Sequence, residues 1–360
     1  MRILFGVLVL IIGVGSTTFA EPITGTFRST GAMTTGHAGH TATLLQNGKV
    51  LVVGGFAIGS GNLGTAELYD VSTETFTPTG SLATPRTGHT ATLLQNGKVL
   101  IAGGNLASAE LYDPATGKFT PTGAMTTDRV MHTATLLNDG RVLVAGGQNA
   151  AIERLASAEV YDPATGQFTS VDSLNDARAE HSATLLANGT VLVAGGGDAG
   201  FNTLGSVERY NPVTDTFSPA GELLAARDGH AAAQLRDGRV LFIGGSDGPV
   251  LAACEIYDPA TDSFLPADDL ITARIYPTAT VLRSGTVLVA GGFNELSHAV
   301  SGTELYRTQR DFFARGGLMT VNRVAHTATL LKNGWVLITG GLDASNNTPA
   351  GAELFIPTKP

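Results

Sequence analysis

Residues 89–104 read HTATLLQNGKVLIAGG. Thr90 to Leu94 is a β-prone run, Asn96-Gly97 follows, and Lys98 to Ala102 is a second run. Asn-Gly between two β runs marks a hairpin, because both central residues of a type I′ turn need positive φ. Six further copies carry Asn47-Gly48, Asp139-Gly140, Asn188-Gly189, Asp237-Gly238, Ser284-Gly285 and Asn333-Gly334. Each second run ends in paired glycines: Gly54-Gly55, Gly103-Gly104, Gly146-Gly147, Gly195-Gly196, Gly244-Gly245, Gly291-Gly292 and Gly340-Gly341. The steps between pairs are 49, 43, 49, 49, 47 and 49 residues, so one supersecondary unit is repeated seven times.

Working outward, Glu110-Leu111-Tyr112 forms a third run, Asp113-Pro114-Ala115-Thr116-Gly117 is turn chemistry, and Phe119 opens a fourth run. The Tyr-to-Phe step is seven residues in all six complete copies, from Tyr69/Phe76 to Tyr306/Phe313. Four short antiparallel strands per unit, here called a to d from first to last, predict an all-β, seven-bladed β-propeller. Strand b is apolar on both faces, which suits burial between blades.

The last copy stops after Glu353-Leu354-Phe355 and lacks strand d. Thr24-Gly25-Thr26-Phe27 matches Thr116-Gly117-Lys118-Phe119, so the N-terminal strand is expected to close the seventh blade. That blade is read as residues 326–360 plus 22–30, within one domain spanning 21–360. Closure of this kind removes free edges.

Arg2, the apolar run Ile3 to Val14 and Thr18-Phe19-Ala20 read as a secretory signal over residues 1–20, cut after Ala20. The expected location is therefore secreted or periplasmic, with no membrane span after signal removal. The chain has one cysteine, so no internal disulfide can form. A net charge of −9 without a Lys/Arg cluster argues against nucleic acid.

The glycine pairs, the spaced Glu and Tyr and the later aromatic resemble the kelch-repeat family over residues 21–360. The resemblance implies a propeller like the central domain of galactose oxidase and a role in binding proteins or glycans, with a few enzymes. Kelch repeats usually carry Trp where this chain has Phe76, Phe119, Phe168, Phe217, Phe264 and Phe313. Trp-Asp pairs, the mark of WD40 propellers, are absent.

Two registers read as structural. Glu67, Glu110, Glu159, Glu208, Glu255, Glu304 and Glu353 recur at strand c in apolar surroundings and need partners. Arg86, Arg129, Arg178, Arg227, Arg274 and Arg323, with His37 in the first copy, precede a register of histidines: His40, His89, His132, His181, His230 and His326. An Arg, a His or a backbone amide is expected to satisfy each Glu. The histidines do not read as a metal site, since a blade spacing of roughly 10 Å exceeds what ligands ~2 Å from one ion can span.

Between the glycine pair and the Glu lie 11, 5, 11, 11, 9, 11 and 11 residues, forming b–c loops on one face with the d–a connections. Loops on a rigid scaffold carry function. The candidate binding residues are Phe56, Asn105, Gln148, Arg154, Asp198, Phe201, Asn202, Asp247, Phe293, Asn294, His298 and Asp343. Exposed Phe beside Asn and Asp suits a glycan or an extracellular or periplasmic protein, met by a monomer. No catalytic residue, metal or cofactor is nominated. Cys254 reads as a buried filler, so the Tyr–Cys copper site of galactose-oxidase-like enzymes is not expected. The alternative is an exported enzyme, a carbohydrate-active hydrolase or an oxidase, using the central pocket of the loop face. Acids or histidines converging there would favour it.

Overall fold

A computed structural model describes residues 25–358. The signal segment, its cut after Ala20 and the domain start at residue 21 lie outside the described residues. Seven four-stranded antiparallel sheets form the blades of a propeller. Blade 1 runs from Thr41–Leu44 through Val50–Val53 and Ala66–Asp70 to Thr75–Pro78. Blade 7 consists of Thr327–Leu330, Val336–Thr339, Gly351–Pro357 and, as its outer strand, Gly25–Ala32.

The register at the closure puts Phe27 opposite Phe355, with ring centroids 5.1 Å apart. The same strand also grips blade 1: the Arg28 guanidinium pairs with Glu74, and the Thr30 and Tyr69 hydroxyls share a 2.7 Å hydrogen bond. Each blade interface holds one apolar cluster. Between blades 1 and 2 it comprises Leu51, Val53, Val99, Ile101 and Tyr112, all nearly inaccessible. Strand b is thus buried on both faces, as its uninterrupted Val/Leu/Ile composition demands.

The glycine pairs are fixed by close approach. Gly54 and Gly55 have φ of 61° and 88°; a Cβ on Gly54 would lie 2.7 Å from the Arg86 carbonyl oxygen, and one on Gly55 would lie 2.6 Å from that of Ala38. The Gly55 amide donates to the Arg86 carbonyl of the next blade at 2.8 Å, and Gly341 donates to His37 at 2.7 Å, completing the circle.

Buried arginines staple blades 2 to 7 to the d–a connections that precede them. The Arg129 Nη1 donates to the Gly146 and Ser157 carbonyls, while its Nη2 donates to the Glu159 Oε1 at 2.9 Å. Glu159 also accepts from the Thr126 amide. The other five Arg–Glu pairs lie at 2.6–3.2 Å. In blade 1 the His37 Nδ1 meets the Gly54 carbonyl, and its Nε2 stands 3.8 Å from Glu67. Burial works to raise the Glu67 carboxyl, but His37 and Thr34 outweigh it and hold the pKa below its ordinary value. The inner histidines do not reach the Glu register. The His89 Nε2 bonds the Thr41 hydroxyl of the preceding blade at 3.0 Å, and His132, His181, His230, His326 and His40 repeat the contact.

Candidate functional site

Between each Arg (His37 in the first copy) and the following His (Pro277 in the sixth), one residue turns the chain at the axis of the loop face. These seven are Gly39, Gly88, Met131, Glu180, Gly229, Tyr276 and Ala325, all with φ between 53° and 63°. Amides of Gly39, Gly88, Glu180, Gly229 and Tyr276 donate to the equivalent carbonyl of the preceding blade, so the backbone forms a collar around the axis. Left-handed φ in non-glycine residues is costly and marks positions the surrounding structure over-determines.

Gly229 leaves room at its collar position, and the Tyr276 ring fills it: a Cβ on Gly229 would lie 2.7 Å from the Tyr276 Cε1. Tyr276 is thereby brought within electrostatic reach of Glu180 and Asp228, and burial and these acids raise its pKa. Asp228 is pushed up to about 6 by burial first, then by Glu180 and Asp247, against the opposing pull of Arg154. The Asp228 Oδ1 and the Arg154 Nε and Nη1 are buried without hydrogen-bond partners. The Arg154 guanidinium lies 5.4 Å from the Phe201 ring centroid, a cation–π contact.

The nominated loop residues divide by role. Gln148, Phe56 and Phe293 follow the glycine pairs and exchange backbone hydrogen bonds with Val130, Ala38 and Ile275. Phe56 and Phe293 are half-buried, so the expectation of exposed phenylalanines holds at Phe201 alone, which is 66% exposed. Asp198, Asn294 and Asp343 are spent on their own loops. Asp198 accepts from the Gly200 and Asn202 amides, Asn294 from the Leu296 and His298 amides, and Asp343 from the Ser345 and Asn347 amides. Asn202 staples back to Asp198. Asn105 is an exposed left-handed corner, and Asp247 and His298 are exposed. Arg154, Phe201 and Asp247 therefore join the axial cluster, and the remainder shape the loops.

Glu180, Asp228 and Met131 were not among the nominated residues. The signal for Met131 and Glu180 was variation at the position just before the inner His or Pro277, where the copies read Gly, Gly, Met, Glu, Gly, Tyr and Ala; Asp228 stands one residue earlier, where the other copies read Ala, Thr, Val, Ala, Ile and Val.

The loop tips end in left-handed residues at Ile152, Phe201, Ser297 and Asn346. Large exposed hydrophobics crowd this face: Ile58, Ile152, Phe201 and Leu296 on the loops, and Met131 and Tyr276 on the collar. Over the b–c loops and the collar with its flanking residues, the carboxylates are Glu153, Glu180, Asp198, Asp228, Asp247, Glu295 and Asp343, and the one Arg or Lys is Arg154. The inner turns of the opposite face carry Lys49, Lys98, Arg141, Arg236, Arg239, Arg283 and Lys332. A cleft of about 420 Å³ lined by Arg141, Asp162, Asp172 and Asp215 lies away from the axial cluster, where Arg141 ties blade 3 to Asp215 of blade 4.

Seven four-stranded blades around a loop-lined axis define a β-propeller. The Kelch motif model matches residues 130–175 and 179–224, so blades 3 and 4 of the seven carry the kelch motif. Among solved structures it is similar to a fungal alcohol oxidase of the AA5 family in complex with copper, at 17% identity and TM-score 0.76, over 93% of this chain and 76% of that one. It is also similar to YjhT, at 17% identity and TM-score 0.62, over 75% of this chain and 94% of that one. These likenesses describe the fold. No curated protein matches the chain.

A copper site does not fit the described residues. Among the described residues, no three His, Cys, Asp or Glu side chains are grouped to hold a metal ion. Cys254 is buried, its thiol pushed up to about 12 by burial, and its Sγ contacts the Ala252 carbonyl. Among the described residues, no helix is long and apolar enough to cross a membrane.

Proposed function

We propose that this propeller is an exported binding module whose b–c/d–a face docks an extracellular or periplasmic protein. The observation that carries the reading is the concentration of exposed large hydrophobics on the loop tips and collar, with Phe201 66% and Leu296 72% exposed. Apolar groups gathered on one face of a soluble scaffold mark interaction sites. Scattered aliphatic tips such as Ile58, Ile152 and Leu296 suit a protein surface better than a sugar, which stacks on flat aromatic rings. The signal-like residues 1–20 support export.

The test is an array of glycans and secreted proteins probed with the mature chain. A parallel sample has the loops bearing Ile152, Phe201 and Leu296 shortened. Binding to a protein that disappears with the tips supports the reading. Binding that survives the shortening refutes the face, and selective binding to a glycan refutes the partner class.

A second reading, an enzyme working at the axis, draws on Glu180, Asp228, Tyr276 and Arg154 converging there, with the Asp228 carboxyl and the Tyr276 hydroxyl both shifted upward. Turnover lost in Asp228→Asn at unchanged melting temperature would favour it over docking.

A further inference from the structure

The charge on the loop face is lopsided. Two carboxylates, Glu180 and Asp247, act on a third, Asp228, at the axis, and one cation, Arg154, opposes them. Arg154 lies over Phe201, and its Nε and Nη1 make no hydrogen bonds, so it leaves the Asp228 Oδ1 unpaired. Tyr276, 40% exposed, borders the same group. An acidic centre inside an apolar rim complements a segment with a cationic side chain flanked by apolar ones. An aromatic face beside carboxylates adds cation–π attraction for an ammonium or guanidinium group.

We infer that the loop face takes a basic, partly apolar peptide segment, with one Lys or Arg side chain seated at Glu180, Asp228 and Asp247 beside Tyr276. This rests on the docking reading above and names the chemistry of its partner. Arg154 has a defined part in it. Because it stands among the acids, it opposes a cationic guest and limits affinity. A sugar or an anionic segment would instead use Arg154 as a donor. The two cases predict opposite effects of removing it. The groups facing Asp228 are Glu180, Asp247, Tyr276 and Arg154. A bound cation favours the ionised carboxylate, so binding strengthens as the pH rises through about 6, where Asp228 loses its proton.

The experiment measures fluorescence anisotropy of a labelled peptide alternating Lys or Arg with Leu, and of its Glu/Asp counterpart. Each is titrated with the wild type, Asp228→Asn, Asp247→Asn and Arg154→Gln, and melting temperatures confirm that each variant folds. The basic peptide should bind the wild type and the acidic one should not. Asp228→Asn and Asp247→Asn should each weaken binding about three- to five-fold, Arg154→Gln should strengthen it about as much, and added salt should weaken it. Tighter binding of the acidic peptide, weakening by Arg154→Gln, or no binding of the basic peptide overturns the inference. If the basic peptide fails while an array partner still needs the loop tips, the docking face stands and only the charge assignment falls. If the basic peptide binds the tip-shortened chain undiminished, both fall.

Discussion

Pro277 stands where six blades have an inner histidine, and the residue such a histidine would bond in the preceding blade is Ala231. The equivalent positions are Thr41, Thr90, Thr133, Ser182, Thr278 and Thr327, each with a hydroxyl bonded to the next blade's histidine. Acceptor and donor are therefore absent together, and no buried polar group is left facing an apolar one. Pro277→His alone should destabilise, and Ala231→Thr added to it should recover about 1 kcal/mol. A urea double-mutant cycle measures the coupling; strictly additive effects would contradict the pairing.

Arg129 and Glu159 make a buried charge pair of which neither member can be lost cheaply. Arg129→Met leaves the Glu159 carboxylate with the Thr126 amide alone and should cost about 3–5 kcal/mol. Adding Glu159→Gln should return part of that loss. Denaturation midpoints at constant m decide it, and a single-variant loss below about 1 kcal/mol, the scale of an exposed pair, would show that the staple is dispensable.

The inner histidines make the fold acid-sensitive. Burial pushes His89, His132, His230 and His326 down to about 3, and lowers His40 and His181 well below their ordinary value. The unfolded chain takes up these protons near pH 6.5, while the folded one stays neutral. Their contribution is therefore complete above pH 6.5 and is lost as the pH falls toward 3. Asp228 works the other way, since a raised carboxyl pKa relieves a penalty as the pH drops through 6. Six histidines outweigh one aspartate. Stability should fall by about 1 kcal/mol per histidine between pH 7.5 and 5.5. Equal urea midpoints at the two pH values would contradict neutral burial.

The ring of blades depends on a strand supplied from its own beginning. Removing Gly25–Ala32 strips Phe27 from Phe355, Arg28 from Glu74 and Thr30 from Tyr69, and exposes the edge of Gly351–Pro357. The melting temperature should drop by at least about 5–10 °C. A shortened chain that melts with the full one would mean the closure contributes little.

The architecture was legible because every level agreed: Asn-Gly turns, glycine pairs, doubly apolar strands and the Tyr-to-Phe step all repeat in one register. The strand carrying Phe27 could be placed in the blade of Phe355 from the repeat alone. The face could also be read, since only its loops vary in length. The site within it was harder. Asp198, Asn294 and Asp343 look like free ligands in a sequence, yet each is consumed by amides two and four residues on. Glu180 and Asp228 sit between a structural Arg and a structural His and look like filler. Only the collar geometry, with Gly229 making room for Tyr276, brings residues from blades 4, 5 and 6 together.

Where a partner lands tests the docking face most directly. Hydrogen–deuterium exchange of the chain, free and saturated with a bound protein, maps that footprint. Slowed amides should gather at residues 148–154, 197–202 and 294–299 and at the collar around Glu180 and Tyr276. Protection confined to the opposite turns, at residues 46–49, 95–98 and 236–239, would contradict the loop face as the docking surface.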